Sequence, residues 1–299
     1  MPFLTLFSAP KPFTDPHIAI IQRNAIRSWL QLGSDIEVLL VGQEPGLAEV
    51  CQQLGVRCLP QVRRNPSGTP LVSSIFELAR QTSQSPFLAY LNADILVMPD
   101  FLAAAHLVSD QAERFLVVGQ RWDLELRQQL EFTRGWEARL RAQVQTHGRL
   151  HPPAGSDYFI FPRPLFDDMP DFAIGRAGWD NWVIYHALHS GWEVVDATPS
   201  IMVIHQDHDY RHLPGGRPHY DHVESQHNQD LAGGQAHLYM LLDTNRELIA
   251  RKIKPHRPNL LRLIRLLEVR LTPDGRRQGL QYALARRLRR MRRAMSGSL

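Results

Sequence analysis

Three short stretches of this 299-residue chain carry side chains able to do chemistry. In the first, Asn92-Ala93-Asp94 interrupts an apolar run from Phe87 to Leu91 that resumes at Ile95. An aspartate buried in such a run is costly unless something pairs with it. At the carboxyl end of a strand, where α/β folds place their ligands, its oxygens would suit a hard divalent cation such as Mg or Mn. An aspartate closing a turn or capping the next helix accounts for the same residue. In the second, Gly178-Trp179-Asp180-Asn181-Trp182 sets a carboxylate between tryptophans at the head of a helix. Desolvation by the rings would raise its pKa, the helix dipole would oppose the rise, and a plain N-cap is the rival reading. The third, His205-Gln206-Asp207-His208-Asp209 with His212, is rich in metal-ligand types. It admits a metal-hydrolase reading, although no HExxH occurs, and a hydrogen-bonded, partly buried His205 is the bland alternative.

The elements that must position these residues are read from hydrophobic spacing. Phe3 to Phe7, Ile36 to Val41, Val56 to Leu59 and Phe87 to Leu91 are apolar runs of strand length. Between them, Ile18 to Leu32, Leu47 to Leu54 and Leu71 to Arg80 carry helical periodicity, the first two closed by Gly33 and Gly55. This alternation predicts βαβ units and a parallel sheet with right-handed crossovers. Further on, a helix is expected over Phe101 to Val108 and strands over Phe115 to Val118, Trp192 to Val195 and Ser200 to Ile204. One or two helices are expected within Leu124 to Gln145, a loop or lid near 206–234, and a helix over Ala236 to Arg251. No GxGxxG follows the first strand and no P-loop occurs, so the dinucleotide and ATPase readings lose their main support.

The order of these motifs resembles the nucleotide-sugar-dependent glycosyltransferases of the GT-A fold, in particular the large family-2-like group, over roughly residues 3 to 210. The resemblance implies a Rossmann-like α/β domain with a mainly parallel central sheet and flanking helices. It identifies Asn92-Ala93-Asp94 as a variant of the Asp-x-Asp motif and Ala154-Gly155-Ser156-Asp157 as the acceptor-side glycine loop. Asp180 then matches the catalytic acid site and His205 the late metal-ligating histidine. Metal dependence through Asp94 and His205 follows, with Mn favoured over Mg by the imidazole. Donor contacts fall on Ser8, Pro10, Lys11, Asn65, Gly68, Thr69, Asn92 and Ala93, and Arg63, Arg64 and Arg176 could reach phosphate. Acceptor contacts fall on Gly155, Ser156, Asp157, Trp179 and Asn181. The implied activity is metal-dependent transfer of a sugar from a nucleoside diphosphate sugar to a hydroxyl of a glycan, a lipid-linked or a small acceptor. Asp180 would act as general base with inversion. Two departures stand out: Asn92 replaces the motif's first acid, and Trp179 precedes Asp180. A non-catalytic nucleotide- or sugar-binding module is the alternative from another class.

Composition bounds the rest. With 43% hydrophobic and 21% charged residues, the chain has core enough for a globular α/β body. No apolar run reaches transmembrane length, and the N-terminus carries no basic region of a signal peptide. Cys51 and Cys58 are expected as separate packed thiols in a reducing cytosol, which gives a cytoplasmic location. The net charge of +4 conceals an asymmetry: from Arg251 onward, 15 basic residues face only Glu268 and Asp274. A boundary near residue 250 is therefore expected, with a catalytic domain at 1–250 and a basic amphipathic helical extension at 251–299. Such helices suit the inner face of an anionic membrane or packing on the body, and no nucleic-acid motif accompanies the charge.

Overall fold

A computed structural model describes residues 1–208, 222–272 and 278–296. In chain order the first half runs β1 (Leu4–Ser8), α1 (Pro16–Leu30), β2 (Ile36–Val41), α2 (Leu47–Leu54), β3 (Arg57–Leu59), α3 (Val72–Thr82), β4 (Phe87–Leu91), β5 (Ile95–Leu96) and α4 (Pro99–Ser109). Next come β6 (Phe115–Val118), β7 (Arg121–Leu124), α5 (Trp136–His147), β8 (Arg149–Leu150), β9 (Tyr158–Pro162) and α6 (Trp179–His189). The chain continues through β10 (Glu193–Asp196), β11 (Val203–Gln206), α7 (Val223–Leu231), β12 (Arg246–Ile249), β13 (Lys252–Pro255), α8 (Leu260–Leu271) and α9 (Leu280–Ser296).

Nine strands form one sheet in the order β13-β12-β10-β6-β9-β4-β1-β2-β3, parallel except at β9 and β13. Its strands are apolar on both faces, because helices cover both. Leu4, Leu6, Ala89 and Leu91 pack with Trp29 of α1, Val50 of α2 and Phe101 of α4. Phe7, Leu88 and Tyr90 alternate to the other face, against Phe76 of α3 and Trp179 and Val183 of α6. Helix α1 starts where Asp15 accepts hydrogen bonds from the amides of His17 and Ile18, with Pro16 in its first turn. The α/β architecture expected from the sequence is the one the chain adopts. Residues 252–255 extend the main sheet through the β12–β13 hairpin, so the sheet itself runs past position 250.

Several local expectations need correcting. Leu124 to Gln145 begins as the last residue of β7 and an irregular segment; only its second half is helical, as α5. Ala236 to Arg251 is not a helix but two short 3-10 turns followed by β12. It fails as a helix because Arg246 to Ile249 find strand partners on both sides, in β10 and β13, and that pairing overrides local spacing. Part of the expected loop near 206–234 is the helix α7; residues 209–221, including Asp209 and His212, lie outside the described residues. Cys51 and Cys58 are not separate thiols but a disulfide. Gly55 ends α2 in the left-handed region and turns the chain straight into β3, bringing the two Cα atoms to 6.0 Å, within bridging range. The argument from cysteine usage to a reducing compartment falls with it.

Candidate active site

The sheet order 3-2-1-4 at one end reverses between β1 and β4, and this is where α/β sheets open a crevice beyond their carboxyl ends. A cavity of about 480 Å³ lies there, between Pro10 and Lys11 after β1, Asn92 to Asp94 after β4, and the loop at Gly68 and Thr69. A second, four-stranded sheet, β5-β11-β7-β8, brings in the remaining groups. Its register sets His205 opposite both Ile95 and Asp123, so three distant stretches deliver Asp94, His205 and Asp123 to one place. The buried Gln206 fastens this junction: its amide donates to the carbonyls of Ile21 (2.7 Å) and Asp94 (3.1 Å) and accepts from Asn24 (3.0 Å).

Asp94 is 8% exposed and faces two histidines and a lysine. Its Oδ2 lies 3.2 Å from His208 Nε2, 3.9 Å from His205 Nε2 and 3.8 Å from Lys11 Nζ. Burial alone would raise its pKa; the hydrogen bond with His208 and the positive charge of His205 and Lys11 outweigh that and hold it well below the carboxylate range. Its Oδ1 is buried with no hydrogen-bond partner. On His205, burial opposes the charged form, but Asp123 and Asp207, each 3.4 Å from Nδ1, together with Asp94 raise the pKa to about 9. Those contacts are electrostatic, since neither forms a well-made hydrogen bond to Nδ1.

The donor set fits a divalent cation. Asp94, His205 and His208 each offer one ligand atom, all within 4.8 Å of one another, and Asp94 Oδ1 is a buried acceptor lacking a donor. A second group, Asp123, His205 and Asp207, shares the same imidazole. Asp123 is already committed, however: Arg121 Nε donates to its Oδ1 (2.9 Å) and His151 Nδ1 sits 2.9 Å from its Oδ2.

Asn92 sits at the centre of a polar relay. Its amide donates to Asp157 Oδ1 (2.7 Å) and its oxygen accepts from the Tyr90 hydroxyl (3.0 Å), while Arg121 takes the other Asp157 oxygen at 2.6 Å. A carboxylate at position 92 would face the Asp157 carboxylate directly, which gives the departure from Asp-x-Asp a local reason.

Beside Asp157 stands Asp180, in the first turn of α6. Burial pushes its carboxyl up to about 6, the backbone amides of Asn181, Asp180 and Gly178 pull the other way, and the negative charge of Asp157 pushes it further up. Gly155 lets the loop close over this carboxylate; a Cβ there would lie 2.6 Å from Asp180 Oδ2. Asn181 ties the two together by donating to the Ala154 carbonyl at 2.8 Å.

The remaining expected site residues divide in two. Pro10, Lys11, Gly68, Thr69, Asn92, Ala93, Asp94, Asp157 and His205 line the cavity, with Arg64 and Arg176. Ser8 instead donates to the Leu91 carbonyl (2.6 Å) inside the sheet. Ser156 bonds the backbone of Gly119 and Tyr158, and Trp179 packs edge-on to Tyr90 in the core. Asn65 braces its own turn and donates to Glu224 (2.6 Å). Arg63 pairs with Glu77 and Asp171 and does not line the cavity. Arg121, Asp123 and Glu44 join the site without a motif to announce them. Glu44 shows one oxygen to Arg64 at 2.8 Å, while its other oxygen is buried without a partner. The signal for Glu44 was its place just beyond the carboxyl end of β2.

No family model matches the chain, and no curated protein does. Among solved structures it is similar to TarS 1-349 of S. aureus in complex with UDP-GlcNAc, at 11% identity and a TM-score of 0.48, over 78% of this chain and 66% of that one. Another structure of TarS 1-349 gives 10% and 0.41, over 70% of this chain and 59% of that one. Glucosyl-3-phosphoglycerate synthase from Mycobacterium tuberculosis, in complex with Mn2+, UDP and phosphoglyceric acid, gives 14% and 0.44, over 69% and 71%.

Around the cavity mouth the charge is mixed but directed. Lys11, Arg64 and Arg176 project cationic groups into it, each anchored at its edge: Lys11 to His208, Arg64 to Glu44, Arg176 to Glu224 at 2.7 Å. Such pre-oriented cations can receive an anionic ligand as charge-assisted donors without first being ordered.

Proposed function

We propose that this chain is a glycosyltransferase that uses a nucleoside diphosphate sugar, holds a divalent ion at Asp94, His205 and His208, and transfers the sugar to a hydroxyl acceptor with inversion. The observation that carries this reading is the contrast of two unlike carboxylates on either side of Asp157: Asp94 lines the crevice, and Asp180 stands behind Asp157, outside the cavity lining. Asp94 is held ionised with a free buried oxygen, while Asp180 is raised to about 6. Environments that drive two acids apart in this way assign them different roles.

The ionised acid belongs to the leaving group. Asp94, His205 and His208 would hold a divalent ion there, which would supply Lewis-acid neutralisation of the diphosphate leaving group, and the oxygen-and-imidazole set favours Mn over Mg. Lys11, Arg64 and Arg176 receive the phosphates, and the cavity between β1 and β4 takes the nucleoside. The raised acid belongs to the acceptor. A base with a pKa near 6 is mostly deprotonated at neutral pH yet basic enough to take the hydroxyl proton as the new bond forms, an effect of about 10²–10⁴-fold. Asp157, already held by Asn92 and Arg121, orients the acceptor beside Asp180. Domain limits of 1–250 for the catalytic part and 251–299 for the basic extension go with this reading, with β13 carrying the catalytic sheet across that boundary.

The test is calorimetric titration with UDP-, GDP- and dTDP-sugars, with and without Mn²⁺, on wild type and Asp94→Ala. Metal-dependent binding of one donor, weakened at least about tenfold in the variant, is the expected result. Failure of every donor to bind in the presence of metal would overturn the reading.

A further inference from the structure

The C-terminal hairpin of α8 and α9 is built inside out for a helix pair meant to face water. In α8 the buried positions include Arg265 and Glu268, whereas Leu260, Leu263, Leu266 and Leu267 are 58%, 52%, 44% and 41% exposed. In α9 the buried positions are Ala285 and Arg292, whereas Leu280, Leu284 and Met291 are 90%, 49% and 46% exposed. These seven make up most of the ten large hydrophobic side chains exposed among the described residues, so the apolar surface is concentrated here. Packing does not account for them. The helices are joined by Glu268, whose two oxygens accept from Arg289 (2.6 Å) and Arg292 (3.0 Å), with Arg265 at 3.6 Å. The hairpin is joined to the body by Arg262 on Asp196 and Thr244 and by Arg265 on Asp243.

The charge beside this apolar surface has one sign. Helix α9 carries six arginines and no acid; Arg286, Arg287, Arg290 and Arg293 are exposed and belong to none of these ion pairs. At 100° per residue, Leu280, Leu284 and Met291 fall on one stripe; Arg287 borders it, Arg290 lies about 100° round, and Arg286 and Arg293 continue the exposed arc further round on the same side.

We infer that the exposed faces of α8 and α9 seat this protein in the interface of an anionic phospholipid bilayer. The leucines enter the boundary of the acyl chains and the arginines meet headgroup phosphates. A second copy of the chain would bring arginine against arginine, and a nucleic acid would offer phosphate but nothing to cover leucine. Anionic lipid matches both halves of the surface. No helix among the described residues is long and apolar enough to cross a membrane, so the hairpin lies in the interface. The inference does not depend on the sugar-transfer reading.

The experiment is cosedimentation of the full chain with vesicles of phosphatidylcholine alone or with about one third phosphatidylglycerol. Binding is expected to the anionic vesicles at about 0.1 M salt, and to be at least about tenfold weaker to neutral vesicles or at about 1 M salt. The double variant Leu263→Ser with Leu267→Ser, and Arg287→Glu with Arg290→Glu, should each lower binding at least about tenfold with the melting temperature unchanged, since all four side chains are exposed. Three results would overturn the proposal. Failure of the wild type to bind anionic vesicles would do so, as would equal binding without the leucines. A protein that sediments alone as a dimer, dissociated by the leucine substitutions, would assign the face to a second copy.

Discussion

Two buried charge clusters in this molecule look alike on a list of ion pairs and differ in how they end. In the C-terminal hairpin every member of the cluster is answered: Glu268 by Arg289 and Arg292, Asp243 by Arg265 through both oxygens. At the crevice between β1 and β4 the account stays open. Three of the eight buried side-chain atoms that make no hydrogen bond among the described residues, Glu44 Oε2, Asp94 Oδ1 and His205 Nδ1, belong to residues lining that single cavity, and none lies in the hairpin. A closed network serves structure, because its desolvation is compensated within the protein. An open one holds capacity for a ligand, since an unmet buried acceptor is costly and persists where function requires it. Removing a member of each should therefore break different properties.

The largest effect is expected at Asp180. Asp180→Asn keeps the side chain's shape but cannot take a proton, so turnover, read as donor consumption with acceptor or with water in its place, should fall about 10²–10⁴-fold. Donor affinity should change little, because Asp180 does not line the donor cavity. A fall in affinity that matches the fall in turnover would move Asp180 from base to binding group.

Glu268→Ala is the counterpart in the closed network. It strands the buried Arg292 and takes the partner of Arg289, while Arg265 keeps Asp243, and should cost about 3–5 kcal/mol in urea unfolding followed by helix signal. Donor binding below the new transition should be unaffected. Loss of donor binding in the folded variant would mean that the two clusters are coupled, which the segment from Leu238 to Thr244 gives a route for. Asn181 donates to the Tyr239 carbonyl at 2.6 Å, and Arg265 to the Leu238 carbonyl at 3.3 Å.

What the sequence made legible follows the same division. Strands covered on both faces read as unbroken apolar runs, so β1, β2, β4 and the helices between them stand out, and a polar residue breaking such a run marks Asp94 at once. Arg121 and Asp123 were not legible. They reach the site through the pairing of β7 with β11, a long-range register that no local spacing encodes. The β12–β13 hairpin was missed for a related reason: its turn is made by Ala250 and Arg251, both at positive φ, where Asn-Gly would have announced it. Ser8 and Ser156 show the opposite limit. They lie at the right chain positions, but strand pleat and loop path turn their hydroxyls to backbone carbonyls.

Asn92→Asp probes the open network from inside. It restores an acid to the motif but sets it 2.7 Å from Asp157, with only Arg121 to offset the pair. A loss of about 1–3 kcal/mol is expected near pH 7.5, relieved toward pH 4 as the two carboxylates come to share a proton. A thermal melt series across pH reads this directly, and a loss that does not shrink in acid would place the strain elsewhere than in charge.

The smallest effect carries the sharpest sign. The folded-state pKa of Asp180 is raised above its unfolded value, so the proton favours the fold and ionisation opposes it. The cost of that ionisation is absent below the unfolded pKa of 3.8, grows as pH rises, and is complete above about 6. Asp180→Asn carries no such charge at any pH. It should therefore melt higher than wild type at pH 7.5, by roughly 2 °C, and the gain should fade as pH drops toward 4. A variant that loses turnover and gains stability is what a strained, open site predicts, since residues kept for chemistry are not those that best hold the fold. A constant difference across pH would mean that the backbone amides at the head of α6 hold Asp180 as an ordinary helix cap, and the case for a base would lose its physical ground.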